Sequence, residues 1–175
     1  MIEHPSQLLI AGAKSYPEAF AVLEEFRLSA QQIVESEVEG RKRAIAKLFA
    51  IPIDAFEIRP RFRPPQIGSK NKMWASIGVA IRRDECGWRQ YHHLHWEGSA
   101  FGFFSSIRFP KDEARGERVW RNLRDLKPKL PLGFENREVY ICREIDPKDM
   151  ARMAEVVGKV IDEWIRLWQK GGSLK

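Results

Sequence analysis

Apolar residues recur at helical spacing in the first third of the chain. They alternate with polar ones from Met73 onward and return to helical spacing from Met153 to Trp168. Period changes of this kind separate helices from strands before any composition is counted. The first helix is expected from about Pro17 to Glu39. Ser15-Tyr16-Pro17-Glu18 fits a capping box, and proline is tolerated in a first turn because its missing N–H had no acceptor there. Phe20, Leu23, Phe26, Ala30, Ile33 and Val34 form its apolar stripe, and Gly40 closes it. A shorter helix through Ala44, Ile45, Leu48 and Phe49 must end before Pro52.

Ala55, Phe56 and Ile58 then open an extended segment, which Pro60, Pro64 and Pro65 confine to a sheet edge or a loop. Met73, Ala75, Ile77, Val79 and Ile81 point one way along a strand, and Asp84-Glu85-Cys86-Gly87 turns the chain. Trp88 to Glu97 and Ala100 to Phe109 are the next two strands, joined by Gly98-Ser99. In the second of these, Phe101, Phe103, Ile107 and Phe109 share a face that Ser105 interrupts. Asp112 caps a helix carrying Val119, Trp120, Leu123 and Leu126, which Pro128 and Pro131 stop. Glu138 to Ile145 is a further strand, with Val139 and Ile141 on one side and Tyr140 and Cys142 on the other. Asp146-Pro147-Lys148-Asp149 begins a last helix to about Gln169, lined by Met153, Val157, Val160, Ile161, Trp164 and Trp168.

The order predicts an α+β fold: an antiparallel meander of three to five strands, with N-terminal helices and a long C-terminal helix packed on one face. One domain of residues 1–175 is expected, with a helical segment over 1–52, a sheet-rich core with one helix over 53–145 and the C-terminal helix over 146–175.

Composition narrows the class. The hydrophobic fraction of 43% and charged fraction of 31% are those of a globular chain, not a disordered one. No stretch reaches the roughly 20 apolar residues that span a bilayer, so no membrane partner is expected. Met1-Ile2-Glu3-His4-Pro5 lacks the basic-then-apolar run of a secretory signal. Cys86 and Cys142 stand far apart without companions at metal spacing, which predicts two free thiols and a cytoplasmic location.

Charge changes the picture more. Residues 58–83 hold Arg59, Arg61, Arg63, Lys70, Lys72, Arg82 and Arg83 and no acid, while the net charge of the whole chain is +6. A field concentrated in one window suits a polyanion or an acidic protein face. Arg59, Arg61 and Arg63 alternate with Pro60, Phe62 and Pro64, so an extended arm presents the three guanidiniums on one side to track phosphates. Phe62, on the opposite side, and Trp74 offer packing or a stacking face for a base. Residues 1–57 sum to −3, and Glu24, Glu25, Glu35 and Glu37 of the first helix are the competing intramolecular partners for the arm.

Three of the four histidines lie in Tyr91-His92-His93-Leu94-His95-Trp96-Glu97. On a strand, Arg89, Tyr91, His93, His95 and Glu97 share one face, while Gln90, His92, Leu94 and Trp96 take the other. His93 and His95, about 7 Å apart along the chain, and Glu97 are therefore candidate metal ligands. The same trio suits acid–base chemistry on a phosphodiester, with Arg89 opposing developing negative charge. Trp164 and Trp168 either close the core or, if exposed, form a partner patch. No phosphate loop, dinucleotide fingerprint or nucleophile elbow occurs, and no motif names a cofactor.

The expected function is a non-catalytic nucleic-acid-binding module or accessory subunit, for DNA or RNA, using the arginine arm. Alternatives are a metal- or histidine-dependent phosphodiester hydrolase and an interaction module that docks an acidic protein partner.

Overall fold

The structure is a computed structural model that describes residues 17–49, 51–67, 73–82, 89–97, 100–108, 121, 133–135, 138–146 and 150–170. Helix α1 runs Pro17–Gly40 and α2 runs Lys42–Phe49. They meet at a tight corner in which the Arg41 N–H donates to the Val38 carbonyl at 3.0 Å and the Ile45 N–H to the Arg41 carbonyl at 3.0 Å. A 3-10 turn at Ile53–Ala55 leads to the sheet.

Its strands are β1 Ile58–Ile67, β2 Met73–Arg82, β3 Arg89–Glu97, β4 Ala100–Arg108, β5 Gly133–Glu135 and β6 Glu138–Glu144. Their order is β1-β2-β3-β4-β6-β5, with every neighbouring pair antiparallel. Helix α3, Met150–Lys170, follows. The architecture is the expected α+β meander, with the short β5 added at the far edge. The prolines act as their chemistry requires: β1 is an edge strand, and its register against β2 slips between Arg63 and Gln66, where Pro64 and Pro65 lack ladder donors.

The core lies between one sheet face and the helices. Ile77, Val79, Ile81, Leu94, Phe101, Phe103, Ile107, Val139 and Ile141 supply the sheet side. Ala30, Val34, Val38 and Ile45 from the N-terminal helices, with Met153, Val157, Val160, Ile161 and Trp164 from α3, supply the other. Trp164 and Trp168 are both buried, their ring centroids 5.2 Å apart edge to face, so they close the core.

Two elements differ from the sequence pattern. Leu23, on the expected stripe of α1, is 65% exposed; the packed stretch begins at Phe26, and the preceding turns have no cover among the described residues. Ser105, which breaks the apolar face of β4, is fully buried and hydrogen-bonds His92 Nδ1 of β3 at 2.9 Å. His92 is thus a core residue, and burial pushes its pKa down to about 3.

Arg41 fastens the helices. Its guanidinium donates to both Asp162 carboxylate oxygens, at 2.7 and 2.9 Å, and to Glu37 Oε2 at 2.6 Å. Among the described residues no helix is long and apolar enough to cross a membrane. Cys142 is a free, half-buried thiol. Cys86 and the helix expected after Asp112, apart from the helical Arg121, lie outside the described residues.

Candidate functional site

Strand parity that sends the aliphatic residues to the helices sends a different set to the other face. Across it, register builds rows of opposed residues. One runs Arg61, Gly78, His93, Phe104 and Cys142; the next runs Arg63, Ser76, His95, Gly102 and Glu144. The arginine arm and the histidine strand, far apart in sequence, therefore stand on one surface with a single strand between them. There they line a cleft of about 550 Å³, together with Trp74, Tyr91, Glu97, Phe104, Arg108, Glu138 and Tyr140.

Gly78 makes the approach possible. A Cβ there would lie 2.2 Å from the His92 carbonyl oxygen and 2.5 Å from the His93 Cα, so no side chain fits between Arg61 and His93. Arg61 reaches across the bare position and places its guanidinium carbon 4.1 Å from the centre of the Tyr91 ring. Arg63 lies 5.4 Å from the centre of the Trp74 ring. Each cation is held on an aromatic face, and neither forms an ion pair among the described residues.

The floor is aromatic. Trp74 and His95 are 6.2 Å apart between centroids, His95 and Phe104 5.1 Å, and Phe104 and Tyr140 5.5 Å, a continuous line over β2, β3, β4 and β6. His93 lies parallel to Phe104 at 5.6 Å and edge-on to His95 at 6.0 Å.

Electrostatics follow from this crowding. Burial pushes the His93 pKa down to about 3, and the positive fields of His95, Arg61 and Arg63 push the same way. Burial also lowers His95, which Glu97 partly opposes. Arg63 is lowered by burial and then by Arg61 and Arg108, with Tyr91 and Glu138 in opposition. Both imidazoles are therefore neutral at physiological pH, beside guanidiniums that repel one another. On the far side, the buried Ser106 hydroxyl donates to Glu138 Oε1 at 2.5 Å and fixes that carboxylate.

Not every residue expected from the sequence lies here. Arg59 has the same strand parity as Arg61 but pairs with Glu57 at 2.6 Å and does not line the cleft. Phe62 faces the helix side, with the Arg27 guanidinium 5.2 Å from its ring centre. Three of the four α1 acids named above are engaged locally, Glu24 with Arg27, Glu35 with Gln31 and Glu37 with Arg41, and α1 packs on the opposite sheet face. Lys70, Lys72 and Arg83 lie outside the described residues, as do the side chains of Arg82 and Arg89.

For the metal reading, His93, His95 and Glu97 do share the cleft. Among the described residues, however, no three His, Cys, Asp or Glu side chains gather as a metal-holding group. Ser76, Tyr91, Phe104, Arg108, Glu138 and Tyr140 are the lining residues that sequence reasoning did not single out. Alternation marks the face of each, but only register brings them together. No protein-family model, curated protein or solved structure matches this chain.

Proposed function

We propose that this protein binds single-stranded nucleic acid across the open face of its sheet, with Arg61 and Arg63 on the phosphates and the aromatic line beneath the bases. The observation that carries this reading is the convergence of Arg61, Arg63 and Arg108 on one cleft floored by Trp74, His95, Phe104 and Tyr140. Unpaired guanidiniums supply the sequence-independent, salt-sensitive part of affinity. Flat rings supply stacking, which requires bases released from a duplex. The cleft falls inside the roughly 300–1,000 Å³ typical of ligand pockets, a scale on which part of a strand is seated at a time.

Binding suits the histidines better than proton transfer. An efficient general base has a pKa near the working pH, whereas His93 sits at about 3 with its ring laid on Phe104. A neutral imidazole serves instead as a flat, hydrogen-bonding part of the floor.

The test is fluorescence anisotropy with short labelled single strands and duplexes of DNA and RNA across a salt series. Single strands should bind more tightly than duplexes, with log K falling linearly in log salt. Changing Arg61 and Arg63 together to alanine should weaken binding about 10- to 100-fold. It should also flatten the slope by roughly 1.4, two phosphate contacts at about 0.7 each. Arg59→Ala, outside the cleft, should change affinity less than about threefold. Salt-insensitive binding, or duplex affinity equal to single-strand affinity, overturns the reading.

A further inference from the structure

A cleft built only for phosphate has no use for carboxylates, yet Glu138 and Glu97 line this one. Their presence defines a ligand with an anionic part and a hydrogen-bond-donating part. The two acids are not equivalent. Glu97 is exposed at the end of β3, opposite Ala100. Glu138 is held from below by the fully buried Ser106 hydroxyl at 2.5 Å, which occupies Oε1 and leaves Oε2 without a partner among the described residues. An acceptor fixed in this way has lost its rotational freedom before a ligand arrives, the condition for discrimination rather than mere attraction.

Its place in the fold sets what it meets. The Arg61 guanidinium already lies over Tyr91 of β3. From β3 across β4 to β6 is two strand spacings, roughly 10 Å. Tyr140 stands at that distance at the end of the aromatic line, and Glu138, two residues along β6, has its carboxylate drawn back onto Ser106 of β4. A nucleotide with its phosphate on Arg61 and Arg63 and its base on Phe104 and Tyr140 turns the base edge toward Glu138.

We infer that Glu138, positioned by Ser106, selects bases that carry an exocyclic amino group (cytosine, adenine and guanine) over uracil. The inference rests on the nucleic-acid reading above. The cytosine amino group donates to a carboxylate. Uracil in the same pose presents a carbonyl oxygen, so two acceptors meet and the desolvated carboxylate is left unpaired.

Cytosine and uracil have nearly the same shape and stack weakly, so short oligo-C and oligo-U of equal length isolate the edge. Anisotropy at one salt concentration should show oligo-C bound about tenfold more tightly than oligo-U. Glu138→Gln, which can donate to a carbonyl, should bring the two within about threefold. Ser106→Ala should reduce the ratio while leaving the salt slope unchanged, because no charge is altered. Glu97→Gln removes the same charge and should strengthen both equally, preserving the ratio. Equal binding of oligo-C and oligo-U by the wild-type protein, or a ratio that survives Glu138→Gln, overturns the inference and leaves the nucleic-acid reading standing. Absence of binding to either homopolymer at low salt overturns both.

Discussion

Gly78→Ala is the sharpest test of how the cleft is built. The added Cβ would meet the His92 carbonyl oxygen at 2.2 Å, His93 Cα at 2.5 Å and His93 Cβ at 2.6 Å. Two of these are backbone atoms of the paired strand, so rotating a side chain relieves nothing. Reaching the 3.0 Å floor of real Cβ contacts requires β2 and β3 to part by at least about 0.8 Å. Ladder hydrogen bonds of about 2.9 Å stretched by that amount leave the bonding range, and each is worth about 1 kcal/mol net. With overpacking at about 1–3 kcal/mol, the expected loss is about 2–4 kcal/mol, or roughly 5–15 °C in Tm for a chain of this size. Urea unfolding measures it as a lower midpoint at unchanged slope. Gly40→Ala is the control: its Cβ meets nothing within 4 Å, so the change should be neutral or stabilise by less than about 1 kcal/mol. If Gly78→Ala unfolds within about 0.5 kcal/mol of wild type, β2 and β3 are not this close. The juxtaposition of Arg61 with His93 then fails as well.

His92 predicts a pH dependence. Its folded pKa of about 3 lies below the ordinary 6.5, so as pH falls through 6.5 the unfolded chain takes up a proton that the folded one refuses. Stability is complete above that point and is lost below it by up to about 1.4 kcal/mol per pH unit, with His93 adding to the slope. Urea midpoints should fall between about pH 7.5 and about pH 5, and fall less steeply in His92→Gln, where only His93 remains to drive them; a wild-type midpoint constant over that range refutes the burial argument. Arg41→Ala should cost about 1 kcal/mol, modest because Asp162 is half exposed, and Arg41→Lys should recover only part of it for want of the two-pronged contact. An alanine variant as stable as wild type would show that the corner of α1 and α2 holds without it.

The sequence was most legible where one residue's neighbours in the chain decide its surroundings. Alternation in β2, β3, β4 and β6 assigned Ile77, Leu94, Phe103 and Ile141 to one side and His93, His95 and Tyr140 to the other, as observed. It could not say that Arg61 and His93 are two strands apart, because register is a long-range property set by packing. The arm and the histidines therefore read as rival sites, whereas Arg61, Arg63, His93 and His95 line one cleft. Arg59 stands apart from the cleft for a local reason that the chain did display: Glu57 is two residues away on the same side of an extended segment and pairs with it. Leu23 satisfied the helical period but lies where α1 lacks cover among the described residues, and periodicity does not report where a partner layer ends. β5, three residues long, is too short to carry a period at all.

On the proposed reading, the electrostatics of the cleft serve a ligand rather than stability. Arg63 loses part of its hold on a proton to burial and to two other arginines, and His93 cannot be charged beside them. Stacking on Tyr91 and Trp74 offsets some of this without removing the repulsion. A sheet surface under selection for stability alone would neutralise such a cluster with acids in contact. Among the described residues Glu57 pairs with Arg59, Glu138 holds Ser106 through Oε1 alone, and Glu97 lines the cleft without an ion pair to Arg61 or Arg63. On the proposed reading, an incoming phosphate would supply the missing counter-charge at positions already fixed by the rings. The free energy withheld in the unliganded protein would then appear as affinity, with little reorganisation needed at the moment of binding.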